Sequence, residues 1–184
     1  MTQHYSKQET DAYLEHSSDT PISVKLLSAL LAIGGAILLI TQAALFSRFS
    51  ELSSLLGVSG WVVQGAVAFL GGLGVAAGIG LWLGRQWGWW IALFYFAYAV
   101  CRNINAMISI PGLYEAYGSE GDVSMMASYI KYGFRTLWDV LLLYWLCRDT
   151  AAYHCGTQHV KKGKALLIVF GASLIIFVLA ALLG

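Results

Sequence analysis

The chain has 184 residues, of which 58% are hydrophobic and only 11% are charged, and its formal net charge is +1 at pH 7. Because soluble domains carry about 25% charged residues, this composition excludes an ordinary soluble enzyme domain and predicts a membrane protein. The near-neutral charge and the absence of a basic groove argue against a nucleic-acid partner.

Long apolar segments predict an all-α transmembrane bundle, since a membrane span needs about 20 mostly apolar residues. The polar stretch 1–24 lacks the basic start of a cleaved signal peptide and is expected to form a cytoplasmic tail. Residues 25–184 are predicted to form a single transmembrane domain. Its five predicted spans cover residues 26–46, 61–83, 87–110, 125–147 and 165–183.

The segment 45–60 between the first two spans has apolar residues at helical spacing. It fits a helix lying on the membrane surface or an extension of the first span, and both interpretations are open.

Gly57 to Gly60 match the GxSG string of rhomboid proteases. That chemistry requires a histidine base in a neighbouring span, and all four histidines lie outside the predicted spans. We therefore predict no catalytic residues.

Small residues recur at every fourth position of the second span and just beyond it. Such a stripe lets another helix approach closely. It predicts tight packing, either inside the bundle, which we favour, or between copies of the chain. The stripe consists of Gly72, Ala76, Gly80 and Gly84.

The third span is expected to end at Pro111 and Gly112. One of its faces is polar, with Tyr95, Tyr98, Arg102, Asn105 and Ser109. The fourth span must begin near Met125 to be long enough, which draws ionisable side chains into the membrane. Its polar face carries Ser128, Lys131, Arg135 and Asp139. The short connection predicts that the two spans are antiparallel neighbours.

Ionisable and amide side chains of these spans form the predicted intramembrane polar cluster. Its members are Arg102, Asn103, Asn105, Lys131, Arg135 and Asp139. An arginine in the centre of a span costs about 2.5–3.5 kcal/mol on insertion scales, so each needs a partner, and Arg135 can pair with Asp139 at i+4. Three interpretations are open: a network that pins helices together, a ligand or ion pathway, and a contact with a partner subunit.

The basic segment before the last span contains His154, Cys155 and His159. Their spacing matches no closed zinc site, and a fourth ligand is lacking. We therefore expect a solvated loop and predict neither a metal nor a cofactor.

Basic residues predict the orientation. One side of the membrane would hold Lys7, Lys25, Arg85, Arg148, Lys161, Lys162 and Lys164, and the other only Arg48. By the positive-inside rule the first side is cytoplasmic. The N-terminus is then expected inside and the C-terminus outside.

Two stretches carry a resemblance, GLWLGRQWGWWIAL at residues 80–93 and LLYWLCRDTAAYHCG at residues 142–156. They resemble the middle turn and the closing span of small, uncharacterised multi-spanning proteins of the bacterial inner membrane. The resemblance implies that location and no particular activity.

The favoured functional interpretation is a non-enzymatic membrane subunit or accessory protein. It would assemble in the lipid bilayer with itself or with a larger complex. The alternative is a small transporter or channel for an anionic or protonatable solute, lined by spans three and four. A membrane-embedded enzyme comes third.

Overall fold

The computed structural model describes residues 21–44, 60–117 and 125–183, and all of the elements in them are helices. The predicted tail 1–24, the segment 45–60 and the GxSG string lie outside the described residues, apart from residues 21–24 and residue 60. The helices are α1 (Ile22–Ala44), α2 (Gly60–Trp82), α3 (Gln86–Tyr117), α4 (Met125–Leu146), α5 (Asp149–His154) and α6 (Lys162–Leu183).

Within the described residues, three helices are long and apolar enough to cross a membrane, which supports a membrane protein. They are Ile22–Ala44, Gln86–Gly112 and Lys162–Leu179. The described apolar part of α2 is the shorter stretch Val67–Trp82. Helix α4 has 22 residues, but three of them are charged, which lowers its apolarity below that of the other long helices.

Helix α3 is the centre of the bundle and packs against α2, α4 and α6, while α1 packs against α2. The pairs α1–α2 and α3–α4 are antiparallel, since residues late in one helix contact residues early in the other. The indole of Trp89 is fully buried at the start of α3 and belongs to the main apolar core.

Helices α1 and α2 approach closely because glycines face each other. A Cβ at Gly35 would lie 2.6 Å from the carbonyl oxygen of Gly71, and one at Gly78 would lie 2.6 Å from that of Ser28. The absence of side chains at these positions brings the two backbones into contact. The contact is internal to the bundle.

The predicted stripe of small residues is therefore only partly correct. A Cβ at Gly72 would meet nothing within 4 Å, so this residue is not in the tight contact. Gly80 instead packs against Gly88 of α3, and Gly84 turns the chain between α2 and α3. The face of α2 that meets α1 lies one residue away from the predicted stripe. Spacing within α2 does not show how this helix is rotated against α1.

The predicted end of the third span at Pro111 and Gly112 agrees with the candidate span Gln86–Gly112. The helix itself does not stop there but continues to Tyr117 with the proline inside it. A proline removes one backbone hydrogen bond, and apolar helices accommodate this loss when neighbouring groups compensate. The segment after α4 is also not a simple solvated loop, since it forms α5, in which Ala151 and Ala152 are buried.

One end of the bundle gathers the start of α1, the α2–α3 turn and α5. Ser23 and Val24 of α1 line a small cavity of about 170 Å³ together with Arg148 and Ala151. The imidazole Nε2 of His154 lies 3.2 Å from the carbonyl oxygen of Leu81 and closes the same end.

Candidate functional site: a polar cleft between α3 and α4

Two hydrogen bonds hold α3 and α4 side by side. The indole Nε1 of Trp89 donates to the carbonyl oxygen of Leu146 at 3.0 Å. Further along the pair, the amide Nδ2 of Asn103 donates to Asp139 Oδ2 at 2.9 Å. Both bonds connect groups that are largely screened from solvent, so they align the two helices as well as join them.

A cavity of about 850 Å³ opens beside this contact, and we call it the α3–α4 cleft. Its polar lining is Tyr95, Arg102, Asn103, Tyr132, Arg135 and Asp139. Its apolar lining is Leu38, Ala99, Ala106, Phe134 and Trp138. The cleft thus has polar groups from two helices set among apolar walls, as ligand sites often do.

Four members of the predicted polar cluster line the cleft: Arg102, Asn103, Arg135 and Asp139. They come from two helices, and the bonded pair Asn103 and Asp139 is 36 residues apart in sequence. The other two members, Asn105 and Lys131, are exposed and do not line it. The polar face predicted for α4 is rotated slightly, since Tyr132 lines the cleft and Lys131 does not.

The carboxylate of Asp139 pairs differently from the prediction. It accepts a hydrogen bond from Asn103, which is only 2% exposed. Among the described residues, neither Arg102 nor Arg135 has a carboxylate within 4.0 Å. Both guanidinium groups are still close enough to attract Asp139, Arg102 more strongly than Arg135.

The charges of the cleft do not balance. Among the described residues of its lining, Arg102 and Arg135 contribute two positive charges against the single carboxylate of Asp139. One positive charge is in excess when this carboxylate is ionised. In a medium of low dielectric constant an uncompensated charge is costly, so the cleft is suited to receive a negatively charged group.

The lining of the cleft indicates that it opens sideways, between α1 and α4. Leu38 is the residue of α1 in its lining, and α1 and α4 are not among the helix pairs that pack extensively. All of its lining residues lie at least six positions from a helix end, which is about 9 Å. Access therefore lies along the flank of the bundle.

Two further residues of the cleft lining, Tyr132 and Trp138, were not predicted from the sequence. Tyr132 is three residues before Arg135 and seven before Asp139, so helical spacing was a usable signal for it. Helical spacing gave no reason to select Trp138, because aromatic residues commonly lie next to the polar face of a helix. Tyr98, placed on the polar face of α3, stacks on Phe177 of α6 with a centroid distance of 5.3 Å and is not in the cleft lining.

A second cavity, of about 700 Å³, lies on the other flank of the α3–α4 pair. Its lining includes Ile104, Met107 and Ile108 of α3 with Leu137 and Val140 of α4. This groove is almost wholly apolar and has no charged residue in its lining. It fits an apolar chain and lacks a chemical group that would select one.

The segment around α5 has no metal-ligating geometry. Within the described part of the chain, no three His, Cys, Asp or Glu side chains come together as a metal site would require. The Cys155 thiol is buried and His159 is exposed. Nearby, Lys162 forms an ion pair with the exposed Asp149.

Comparisons of the chain with protein-family models, with curated proteins and with solved structures give no match.

Proposed function

We propose that this protein is a non-enzymatic, multi-pass membrane protein that binds an anionic group in the α3–α4 cleft. The observation that carries the proposal is the pair of guanidinium groups, Arg102 and Arg135, in one cavity without an ion-paired carboxylate among the described residues. The one carboxylate in the lining, Asp139, already accepts a hydrogen bond from Asn103. An arginine inside a membrane protein needs a counter-charge, and an anionic ligand would supply it.

The proposal includes five membrane crossings, by α1, α2, α3, α4 and α6. Helices α2 and α4 have 23 and 22 residues, so each extends over about 33 Å. This length matches the hydrocarbon thickness of about 30 Å. The charged residues of α4 face a cleft or are long enough to reach the headgroups, which makes their presence in a span acceptable.

The orientation that we propose is N-terminus inside and C-terminus outside, in the inner membrane of a bacterium. The start of α1, the α2–α3 turn and the α5 region share one end of the bundle. Most of the basic residues outside the cleft cluster near this end, and the positive-inside rule makes it cytoplasmic. The resemblance of residues 80–93 and 142–156 to bacterial inner-membrane proteins supports the location.

The binding proposal is tested by ligand-dependent thermal stability. The full chain, purified in a non-ionic detergent, is melted with chloride, phosphate, acetate or an anionic amphiphile at constant ionic strength. A ligand at 100 times its dissociation constant stabilises a protein by about 2.7 kcal/mol. We expect at least one larger anion to raise the melting temperature, and Arg102→Gln with Arg135→Gln to abolish the rise. Equal melting temperatures with all anions would refute the proposal.

A membrane subunit or accessory protein is the second candidate. The flank opening between α1 and α4 favours it, because a carboxylate on a partner's membrane helix could neutralise the same excess charge. Native mass spectrometry after mild extraction separates the two candidates. A homo-oligomer or a stoichiometric partner that dissociates on substitution of both arginines would support assembly. A monomer that retains a small anionic ligand would support binding.

Transport of an anionic solute is a more specific form of the binding proposal. The cleft lies on spans three and four, where a pathway would need charged side chains. Five spans are few for a monomeric carrier, so transport would require an oligomer. Uptake of a radiolabelled anion into proteoliposomes, compared with the variant that lacks both arginines, tests this form.

A further inference from the structure

We infer that the anionic group bound in the α3–α4 cleft is the phosphodiester of a glycerophospholipid, contacted by Arg102 and Arg135. The inference rests on the proposed anion-binding role of the cleft and names the chemical class of its ligand. Charge balance, the donors of the cleft, its walls and its position on the flank of the bundle all support it.

Charge balance favours a ligand with a single negative charge. Among the described lining residues, the two arginines and Asp139 leave one positive charge in excess. A phosphodiester carries one negative charge at neutral pH and brings the cleft to neutrality. A phosphate monoester carries about −1.5 to −2 and would leave a negative excess beside Asp139, which is unfavourable at low dielectric constant.

The hydrogen-bond donors of the cleft match the oxygens of a phosphodiester. A guanidinium group presents two parallel N–H bonds to two oxygens and is well suited to phosphate. Tyr95 and Tyr132 belong to the same lining, and a tyrosine hydroxyl can donate a further hydrogen bond to a phosphate oxygen. Asn103 is already engaged with Asp139, and it holds this carboxylate in the same lining as the two arginines.

The walls of the cleft suit a molecule that is both polar and apolar. Leu38, Phe134 and Trp138 line it beside the arginines. A hydrated inorganic anion gains nothing from such surfaces, whereas an acyl chain or a glycerol backbone buries apolar area against them. Aromatic residues with one polar end are also common where proteins meet lipid headgroups.

The position of the opening decides between a lipid and a soluble anion. The cleft opens between α1 and α4 along the flank of the bundle, at least about 9 Å from the helix ends. In a membrane this flank faces lipid, so a phospholipid can enter sideways without leaving the bilayer. Both arginines are exposed, and their side chains are long enough to extend toward the headgroup layer.

The test is native mass spectrometry of the full chain, delipidated in a non-ionic detergent. The probes are phosphatidylglycerol, which has net charge −1; phosphatidylcholine, which is zwitterionic; and glycerophosphoglycerol, the water-soluble diester without acyl chains. The cleft variant is Arg102→Gln with Arg135→Gln. The matched control is Arg85→Gln with Lys131→Gln, which removes two cations whose side chains are exposed and do not line the cleft.

We expect the wild type and the control to retain phosphatidylglycerol in preference to phosphatidylcholine. Loss of a charge-assisted hydrogen bond costs about tenfold in affinity, and loss of both arginines about a hundredfold. Binding of glycerophosphoglycerol as tightly as the lipid would overturn the lipid assignment and leave anion binding in place. Absence of binding by every probe, or equal retention of phosphatidylglycerol by all variants, would overturn the lipid inference. The proposed function fails separately, if no anion raises the melting temperature.

A charge-preserving variant covers the case in which the glutamine variant does not fold. Arg102→Lys with Arg135→Lys keeps both positive charges and removes only the planar fork. We expect it to fold with an unchanged helical circular dichroism spectrum and to bind phosphatidylglycerol about tenfold more weakly. Affinity equal to that of the wild type would contradict contact of the phosphodiester with the guanidinium groups.

Discussion

Asn103 and Asp139 form a 2.9 Å hydrogen bond that connects the two central polar helices, α3 and α4. Asn103 is almost fully buried, whereas Asp139 is half-buried at the edge of the cleft. The carboxylate accepts this bond and forms no ion pair with Arg102 or Arg135 among the described residues. The N–H donors of both guanidinium groups therefore stay available to a ligand.

Asn103→Leu is expected to destabilise the protein because it leaves the Asp139 carboxylate without its hydrogen bond. We expect the free energy of unfolding to fall by about 1–2 kcal/mol. The measurement is titration with sodium dodecyl sulfate, followed by far-ultraviolet circular dichroism. The matched control is Asn105→Leu, whose side chain is exposed and whose replacement should change stability by less than about 0.5 kcal/mol. Equal losses for the two variants would contradict a specific role of the bond.

Two adjacent glycines of α1 test the close contact between α1 and α2. Gly35→Ala places a Cβ 2.6 Å from the carbonyl oxygen of Gly71, whereas a Cβ at Gly34 meets nothing within 4 Å. We expect Gly35→Ala to cost about 1–3 kcal/mol through overpacking. Gly34→Ala should be neutral or stabilising by up to about 1 kcal/mol, since alanine favours helix. The same detergent titration measures both, and a smaller loss for Gly35→Ala than for Gly34→Ala would refute the packing.

Gly84 and Gly156 both have left-handed backbone conformations, but only Gly84 is in close contact with another part of the chain. Alanine substitutions at the two positions therefore distinguish backbone strain from steric contact. Their φ angles are +62° and +66°, so alanine at either position costs about 1–2 kcal/mol. A Cβ at Gly84 also comes within 2.9 Å of the carbonyl oxygen of His154, whereas one at Gly156 meets nothing within 4 Å. We therefore expect Gly84→Ala to lower the melting temperature more than Gly156→Ala. The reverse order would show that α5 does not rest on the α2–α3 turn.

Cys155 is expected to react slowly with thiol reagents in the folded protein. Burial raises the pKa of its thiol to about 11, so about one molecule in a thousand carries the reactive thiolate at pH 8. In a variant with Cys101→Ala and Cys147→Ala, maleimide labelling should be at least about tenfold slower before denaturation than after it. The rate in the folded state should rise with pH up to about 11. Equal rates before and after denaturation would refute the buried position.

The raised pKa of the Cys155 thiol also predicts how the free energy of unfolding changes with pH. Well below the unfolded-state pKa of about 9, the thiol is protonated in both states and contributes no pH dependence. Above pH 9 the unfolded state loses the proton first, because burial raises the pKa in the folded state. The contribution of Cys155 to stability therefore falls between pH 9 and about pH 11. Cys155→Ala should remove this part of the alkaline instability.

The amino-acid sequence by itself determined the helical class and the positions of the five long helices. Runs of about 20 apolar residues must form helices in a membrane, because no water is present to satisfy an open backbone. The predicted span 61–83 therefore coincides closely with Gly60–Trp82, and 125–147 with Met125–Leu146. Ionisable residues within such runs also identified Arg102, Arg135 and Asp139, since their insertion cost requires a reason.

Only the tertiary structure decided which of these residues meet. Pairing depends on the rotation and offset of one helix against another, and helical spacing within a single segment cannot supply either quantity. Asn103 therefore replaced Arg135 as the partner of Asp139. The glycine contact moved from Gly72 to Gly71 and Gly78 for the same reason. The cleft is lined by α3, α4 and Leu38 of α1. This arrangement brings into one cavity two arginines that have no ion-paired carboxylate among the described residues.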